Sequence, residues 1–145
     1  MEKKIKSRNE ADTLNTAKKF VAEFTGGEVV ALSGELGAGK TIFCKGLAQG
    51  LGYKKVITSP TFVLMKVYHP DHPVIKNFVH VDCYRVDSSD DLSGIGLGDY
   101  LKRNDTVVAI EWAEKVKDLL SQARKVYKVK IKSGKGDLER TIEIS

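Results

Sequence analysis

The segment Gly34-Glu35-Leu36-Gly37-Ala38-Gly39-Lys40-Thr41 meets the spacing G-x-x-x-x-G-K-[ST] at every fixed position. Those residue types suit the triphosphate tail of a nucleotide. Glycines at 34, 37 and 39 reach backbone angles barred to other residues, so successive N–H groups can converge on phosphate oxygens with no Cβ in the way. In such a loop Lys40 bridges the β- and γ-phosphates and the Thr41 hydroxyl is offered to Mg²⁺. A helix beginning near Lys40 would add its free N–H groups and the positive end of its dipole. The bland alternative is a glycine-rich turn with a solvated lysine, and the strand-loop-helix context argues against it.

A magnesium nucleotide site also needs a carboxylate at the end of a buried strand, and two runs supply one. Val107-Val-Ala-Ile-Glu111 is four apolar residues and then an acid, whereas Phe78-Val-His-Val-Asp82 is interrupted by His80. Either acid can hold the metal through water, leaving the other to orient the attacking water or to bond the γ-phosphate. Each can equally be a satisfied carboxylate at a strand end. His80, Tyr84 and Arg85 flank Asp82; for His80 a hydrogen-bonded structural role is the stronger reading, and for Arg85 an ion pair or surface position. Thr58-Ser-Pro-Thr61-Phe62 is either a loop that senses the γ-phosphate or a plain proline turn.

Positioning these groups requires strands and helices in alternation. Leu14, Ala17, Val21 and Phe24 recur at three- and four-residue steps and predict a helix over 9–24, stopped by Gly26-Gly27. Glu28 to Ser33 reads as a strand buried on both faces and Lys40 to Leu51 as the helix after the loop, stopped by Gly50-Leu51-Gly52. Phe62 to Tyr68 and Val74 to Val81 suggest an antiparallel hairpin, and Ser88 to Lys102 short helical pieces broken by glycines. Thr106 to Ile110 predicts a second buried strand, Trp112 to Leu120 a helix, and Val126 to Ile131 with Leu138 to Ile144 two closing strands. The expected class is therefore α/β, a central sheet with antiparallel additions, in one domain spanning 1–145.

Composition narrows the setting. With 41% hydrophobic and 30% charged residues the chain has the balance of a globular protein, and no apolar run approaches the ~18 residues of a membrane span. The charged opening Met1-Glu-Lys-Lys-Ile-Lys lacks the apolar stretch of a signal peptide, so a cytoplasmic setting is expected. Cys44 and Cys83 fit a reducing compartment as buried packing residues, and neither has neighbours in sequence at metal-ligand spacing.

The phosphate loop, Ser59-Pro-Thr-Phe62, His80-Val-Asp-Cys-Tyr-Arg85 and Ile110-Glu-Trp112, in that order, resemble the TsaE (YjeE) family of small P-loop ATPases needed to make threonylcarbamoyladenosine in tRNA. The resemblance covers about Asn9 to Glu114. It implies a P-loop NTPase sandwich with a mixed, mostly parallel sheet, and ATP or ADP with Mg²⁺ as ligands. It implies that Lys40 binds phosphate, that Thr41 and Glu111 hold Mg²⁺, that Asp82 supports hydrolysis and that Thr61 belongs to a switch-like loop. Thr13 would lie near the nucleotide, together with the loop residues Gly34 to Ile42, and Trp112 follows the metal acid. The implied partners are TsaD and TsaB homologues. Ile42 departs from the family where a second hydroxyl is frequent, and Ala113 where proline is.

Two other functions compete. A small-molecule kinase would need a lid with several arginines, but Arg8, Arg85, Arg103, Arg124 and Arg140 are scattered; Arg140 is a candidate for the adenine pocket. A non-enzymatic module would use ATP only to order the loop around Thr61 for docking. Charge adds a separate question. The net +5 concentrates in Lys3, Lys4 and Lys6 and in the last quarter, where a strand would put Lys128, Lys130 and Lys132 on one face. Such a stripe either meets tRNA phosphates or guards a strand edge against pairing. No aromatic residues interleave on that face, which favours the guard and leaves direct tRNA contact open. The sequence sets no oligomeric state.

Overall fold

The computed structural model describes residues 2–35, 37–58, 64–88, 92 and 95–145. Seven strands form one mixed sheet in the order β1-β7-β6-β2-β5-β4-β3. They are β1 (Lys3–Ser7), β2 (Glu28–Gly34), β3 (Met65–Tyr68), β4 (Asn77–Asp82), β5 (Thr106–Glu111), β6 (Lys125–Ser133) and β7 (Arg140–Ile144). The middle pairs β6-β2, β2-β5 and β5-β4 are parallel, while β1-β7, β7-β6 and β4-β3 are antiparallel. This is the expected mixed α/β sheet.

Continuous apolar runs account for the parallel centre, because strands covered on both faces need apolar residues at every position. In β2, Val30 and Leu32 face α1 (Glu10–Val21) and α2 (Lys40–Gly50), meeting Phe43, Leu47 and Ala17. Val29 and Ala31 point the other way, into a second core with Val79, Val81, Val108 and Ile110, closed by α3 (Leu97–Leu101) and Val116. Gly46 and Gly50 let the two helices touch: a Cβ at Gly46 would stand 2.4 Å from the Leu14 carbonyl, and one at Gly50 2.3 Å from Val21 Cγ1. Gly50 thus serves the helix crossing, and the turn that ends α2 uses Gly52, at φ +98°. The crossing holds the N-terminal half of α1 beside the phosphate loop.

One element is unanticipated and three expectations change. Lys3–Ser7 is a strand although one apolar residue in five gives no local signal; its pairing with β7 supplies the order, with Ser7 buried. β6 is not at an edge, since β2 and β7 flank it, so its lysines guard nothing; the lysine-bearing edge is β1. The helix expected over 112–120 is a kinked 3-10 segment, Ala113–Gln122, because Trp112 adopts φ 58°, ψ 41° and Val116 leaves helical angles. The strand expected from Val74 begins at Asn77, and Phe62, where the hairpin was expected to begin, lies outside the described residues. Cys44 and Cys83 are free and buried, as packing residues should be.

Candidate nucleotide site

Parallel strands β2, β4 and β5 end on the same side of the sheet, and the phosphate loop leaves β2 there to enter α2. Gly34 sits at φ +144°, where a Cβ would lie 2.4 Å from the Ile131 carbonyl oxygen, and Gly39 at φ +107° caps α2. Only glycine fits Gly34, because both the angle and the space exclude a side chain. The Lys40 ammonium donates to the carbonyls of Gly34 at 2.7 Å and Glu35 at 2.8 Å and lies 4.2 Å above the Trp112 ring. Burial lowers its pKa, opposed by the charges of Glu111, Glu114 and Asp82.

Beside Lys40, Thr41 Oγ1 donates to the Glu111 carboxylate, 3.2 and 3.3 Å from its two oxygens. Glu111 is 3% exposed and shares its carboxylate with His80 Nε2 at 2.5 Å. His80 is fully buried, and its Nδ1 has no partner among the described residues. The proton therefore belongs on Nε2, donated to Glu111, since an N–H without an acceptor would cost more than an unused lone pair. Asp82 is the register neighbour of Glu111, half-buried, and accepts from the Tyr84 N–H at 3.0 Å. Burial raises its pKa, partly offset by that hydrogen bond, and the Glu111 charge raises it further.

Could this cluster take a metal? Cys44 Sγ, a His80 ring nitrogen and a Glu111 oxygen lie within 4.8 Å of one another, a grouping that sequence spacing did not reveal. The Cys44 thiol is wholly buried, and burial together with Glu111 and Asp82 pushes its pKa well up, so it stays protonated and is a poor soft ligand. The donors beside the phosphate loop are oxygens instead: the Thr41 hydroxyl and the carboxylates of Glu111 and Asp82. Hard oxygen donors of this kind fit Mg²⁺ bound jointly with substrate phosphates.

The cavity over the loop measures about 300 Å³. Of the residues singled out from sequence, Thr13, Gly37, Ala38, Gly39, Lys40, Thr41, Ile42, Asp82 and Glu111 line it. Gly34 and Glu35 lie on the far side of the loop, presenting their carbonyls to Lys40. Leu36 and Thr61 lie outside the described residues. Thr13 is buried with its hydroxyl 2.7 Å from Ser7 Oγ. Arg140 lines the cavity and braces the outer turn, Nε donating to the Ala38 carbonyl at 2.9 Å and Nη2 to that of Gly37 at 3.2 Å. Arg85 is exposed and is not among the lining residues. Glu10 and Leu138, also in the lining, carry no signal in sequence; Leu138 is an exposed apolar rim residue, 53% accessible.

Comparison with known proteins gives a concordant result. A family profile described as "Threonylcarbamoyl adenosine biosynthesis protein TsaE" matches residues 7–142. The tRNA threonylcarbamoyladenosine biosynthesis protein TsaE of Bacillus subtilis is 39% identical over 140 residues, covering 96% of this chain and 82% of that protein. The protein of the same name from Mycobacterium bovis is 42% identical over 115 residues, 77% of this chain and 68% of the relative. Among solved structures, Bacillus subtilis YdiB superposes with a TM-score of 0.78 at 31% identity, over 99% of this chain and 84% of that one.

Proposed function

This chain belongs to the TsaE family, with its role in tRNA threonylcarbamoyladenosine biosynthesis, and we propose that it serves there as a Mg²⁺-dependent ATPase acting with TsaD and TsaB homologues. The observation that carries this reading is the convergence of Lys40, Thr41, Asp82 and Glu111 around one glycine loop. Backbone N–H groups of the loop and of the start of α2 bind the phosphates. Lys40 exchanges its two carbonyl partners for phosphate oxygens, keeping its charge where negative charge develops during transfer. Mg²⁺, held by Thr41 and Glu111, would neutralise β- and γ-phosphate oxygens. Asp82, beside Glu111 at the strand end, is placed to orient the attacking water.

Slow turnover in the isolated chain is expected, because Arg140 is engaged by loop carbonyls and Arg103 by Asp105, and Arg85, the remaining candidate finger, is exposed and does not line the cavity. An arginine supplied by a partner is worth about 10³ to 10⁵ in rate. Of the arginines, Arg140 alone lines the described cavity, which argues against the arginine lid of a small-molecule kinase. No helix among the described residues is long and apolar enough to cross a membrane, and we place the activity in the cytoplasm. Calorimetric titration with ATP and ADP, with and without Mg²⁺, tests the binding half; phosphate release with and without the TsaD and TsaB homologues tests the coupling. Absence of saturable nucleotide binding would end the proposal, and an unchanged rate with the assembled partners would end the coupling.

A further inference from the structure

Outside the nucleotide site, the most unusual surface is the open side of the sheet at β6, β7 and β1. Its other side is core, carrying Val129, Ile131, Ile142 and Ile144. The register sets Lys130 opposite Glu143 and Glu143 opposite Lys4, and likewise Lys132 opposite Thr141 and Thr141 opposite Lys6. Paired residues share a face and alternate residues along a strand return to it. Lys4, Lys6, Lys128, Lys130 and Lys132 therefore stand together on this side, with Glu143 as the one acid that the register places among them. Lys132 holds Glu143 at 2.9 Å, and that hydrogen bond, with the charges of Lys132, Lys4 and Lys130, lowers the Glu143 pKa.

Lys128, Lys130 and Lys132 have no edge to protect, since β6 lies inside the sheet, and Lys4 and Lys6 of the edge strand β1 continue their face. Nor do they suit the centre of a protein interface, where aromatic and apolar residues are enriched and lysine is depleted. Ammonium groups two residues apart along a strand repeat about every 6.6 to 6.8 Å, in rows that can meet successive phosphates of one strand. Among the described residues no aromatic side chain stands between them to stack a base, so a double-helical backbone fits better than a single strand. Beside β6 a trough of about 870 Å³ runs under the 3-10 segment to Gly34 and Glu35 at the back of the phosphate loop, with Lys117 on its wall.

We infer that this face binds the sugar-phosphate backbone of an RNA helix, and that the RNA is tRNA. The choice of tRNA rests on the family's role; the face itself does not depend on ATP hydrolysis. The test is fluorescence polarisation with a labelled, unmodified tRNA transcript between 50 and 200 mM salt. Four lysines beyond the one neutralised by Glu143 predict a log-log salt slope of about −3 to −4. Lys130→Ala and Lys6→Ala should each reduce that slope by about 1 and weaken binding for any tRNA sequence alike. Lys18→Ala with Lys19→Ala, exposed on α1 across the sheet, should leave it unmoved.

Binding of ATP, followed in the same variants, should be unchanged, because none of these lysines lines the nucleotide cavity. Loss of ATP binding in the unaltered chain with the tRNA results intact would sink the proposed ATPase and leave this surface standing. The inference itself is overturned if no tRNA binds at the lowest salt, or if the α1 variant weakens binding as much as Lys130→Ala. It is equally overturned if the lysines govern binding to vesicles of anionic lipid, or to the TsaD and TsaB homologues, while tRNA affinity stays the same.

Discussion

Replacing His80 by alanine probes how Glu111, the carboxylate proposed to hold Mg²⁺, is kept in place. The ring is wholly buried, Glu111 is 3% exposed, and the two share a hydrogen bond of 2.5 Å. Without the imidazole, Thr41 is the side chain that still holds the Glu111 carboxylate among the described residues. Losing a hydrogen bond to a buried charged group costs about 1.5 to 3 kcal/mol, and the space vacated by the ring adds about 1 to 2 kcal/mol. The sum, about 3 to 5 kcal/mol, corresponds to a fall in Tm of roughly 6 to 20 °C for a domain of this size. Thermal unfolding followed by circular dichroism measures it.

His80→Gln sharpens the test, since a glutamine amide can present its N–H near the position of Nε2 and should recover part of the loss. A second readout separates positioning from bulk stability. His80 does not line the nucleotide cavity, so ADP affinity without Mg²⁺ should hold, while the gain in affinity on adding Mg²⁺ falls by about 10 to 100-fold, as for other groups that orient a metal ligand. A Tm drop below about 3 °C in His80→Ala would refute the reasoning. So would a glutamine variant no better than alanine.

Three further outcomes are expected. Gly34→Ala, with its Cβ driven against the Ile131 carbonyl, should lose nucleotide binding or fail to fold, whereas Gly37→Ala, at φ +80° in open space, should cost about 1 to 2 kcal/mol in chemical denaturation. Trp112 is the chain's one tryptophan and lies under the Lys40 ammonium, so ATP should change its fluorescence; Lys40→Ala should abolish the change and weaken binding about 10 to 100-fold. Asp105 is held well below the usual carboxylate range, first by its hydrogen bond from Arg103 and then by Thr106. A depressed acid contributes stability above the unfolded value of about 3.9 that is lost as pH falls toward the folded one, so the Tm gap between the unaltered chain and Asp105→Asn should narrow below about pH 4 and shrink in high salt.

What could be read from sequence was local. Gly34 to Thr41 declares itself because the glycines, the lysine and the preceding apolar run are contiguous, and Glu111 because it ends an unbroken apolar strand. The pair His80–Glu111 spans 31 residues, Thr41–Glu111 spans 70 and the Arg140–Ala38 brace spans 102. Nothing in a linear pattern reports such distances, which sheet order alone creates. The same cause hid β1, whose lysines give no strand signal until β7 pairs with them, and it made β6 look like an edge when it is flanked on both sides. Trp112 misled in a different way: helical spacing follows it, but its own left-handed angles turn the chain before a helix can start.

That turn joins the two surfaces. Directly after Glu111, the left-handed backbone at Trp112 swings the chain away from the strand end, leaving the carboxylate beside Thr41 and laying the indole across Lys40. The residue borders the nucleotide cavity on one side and the trough beside β6 on the other. A bulky residue in this region of backbone space is strained by about 1 to 3 kcal/mol, and such strain persists only where the surroundings impose it. Here they do, because Tyr84 packs against the indole at 5.1 Å between centroids while the Lys40 charge lies over it. On the proposed reading, a phosphate bound by Lys40 would draw the ammonium off the ring and remove one of those two constraints, leaving the Tyr84 contact to hold the turn.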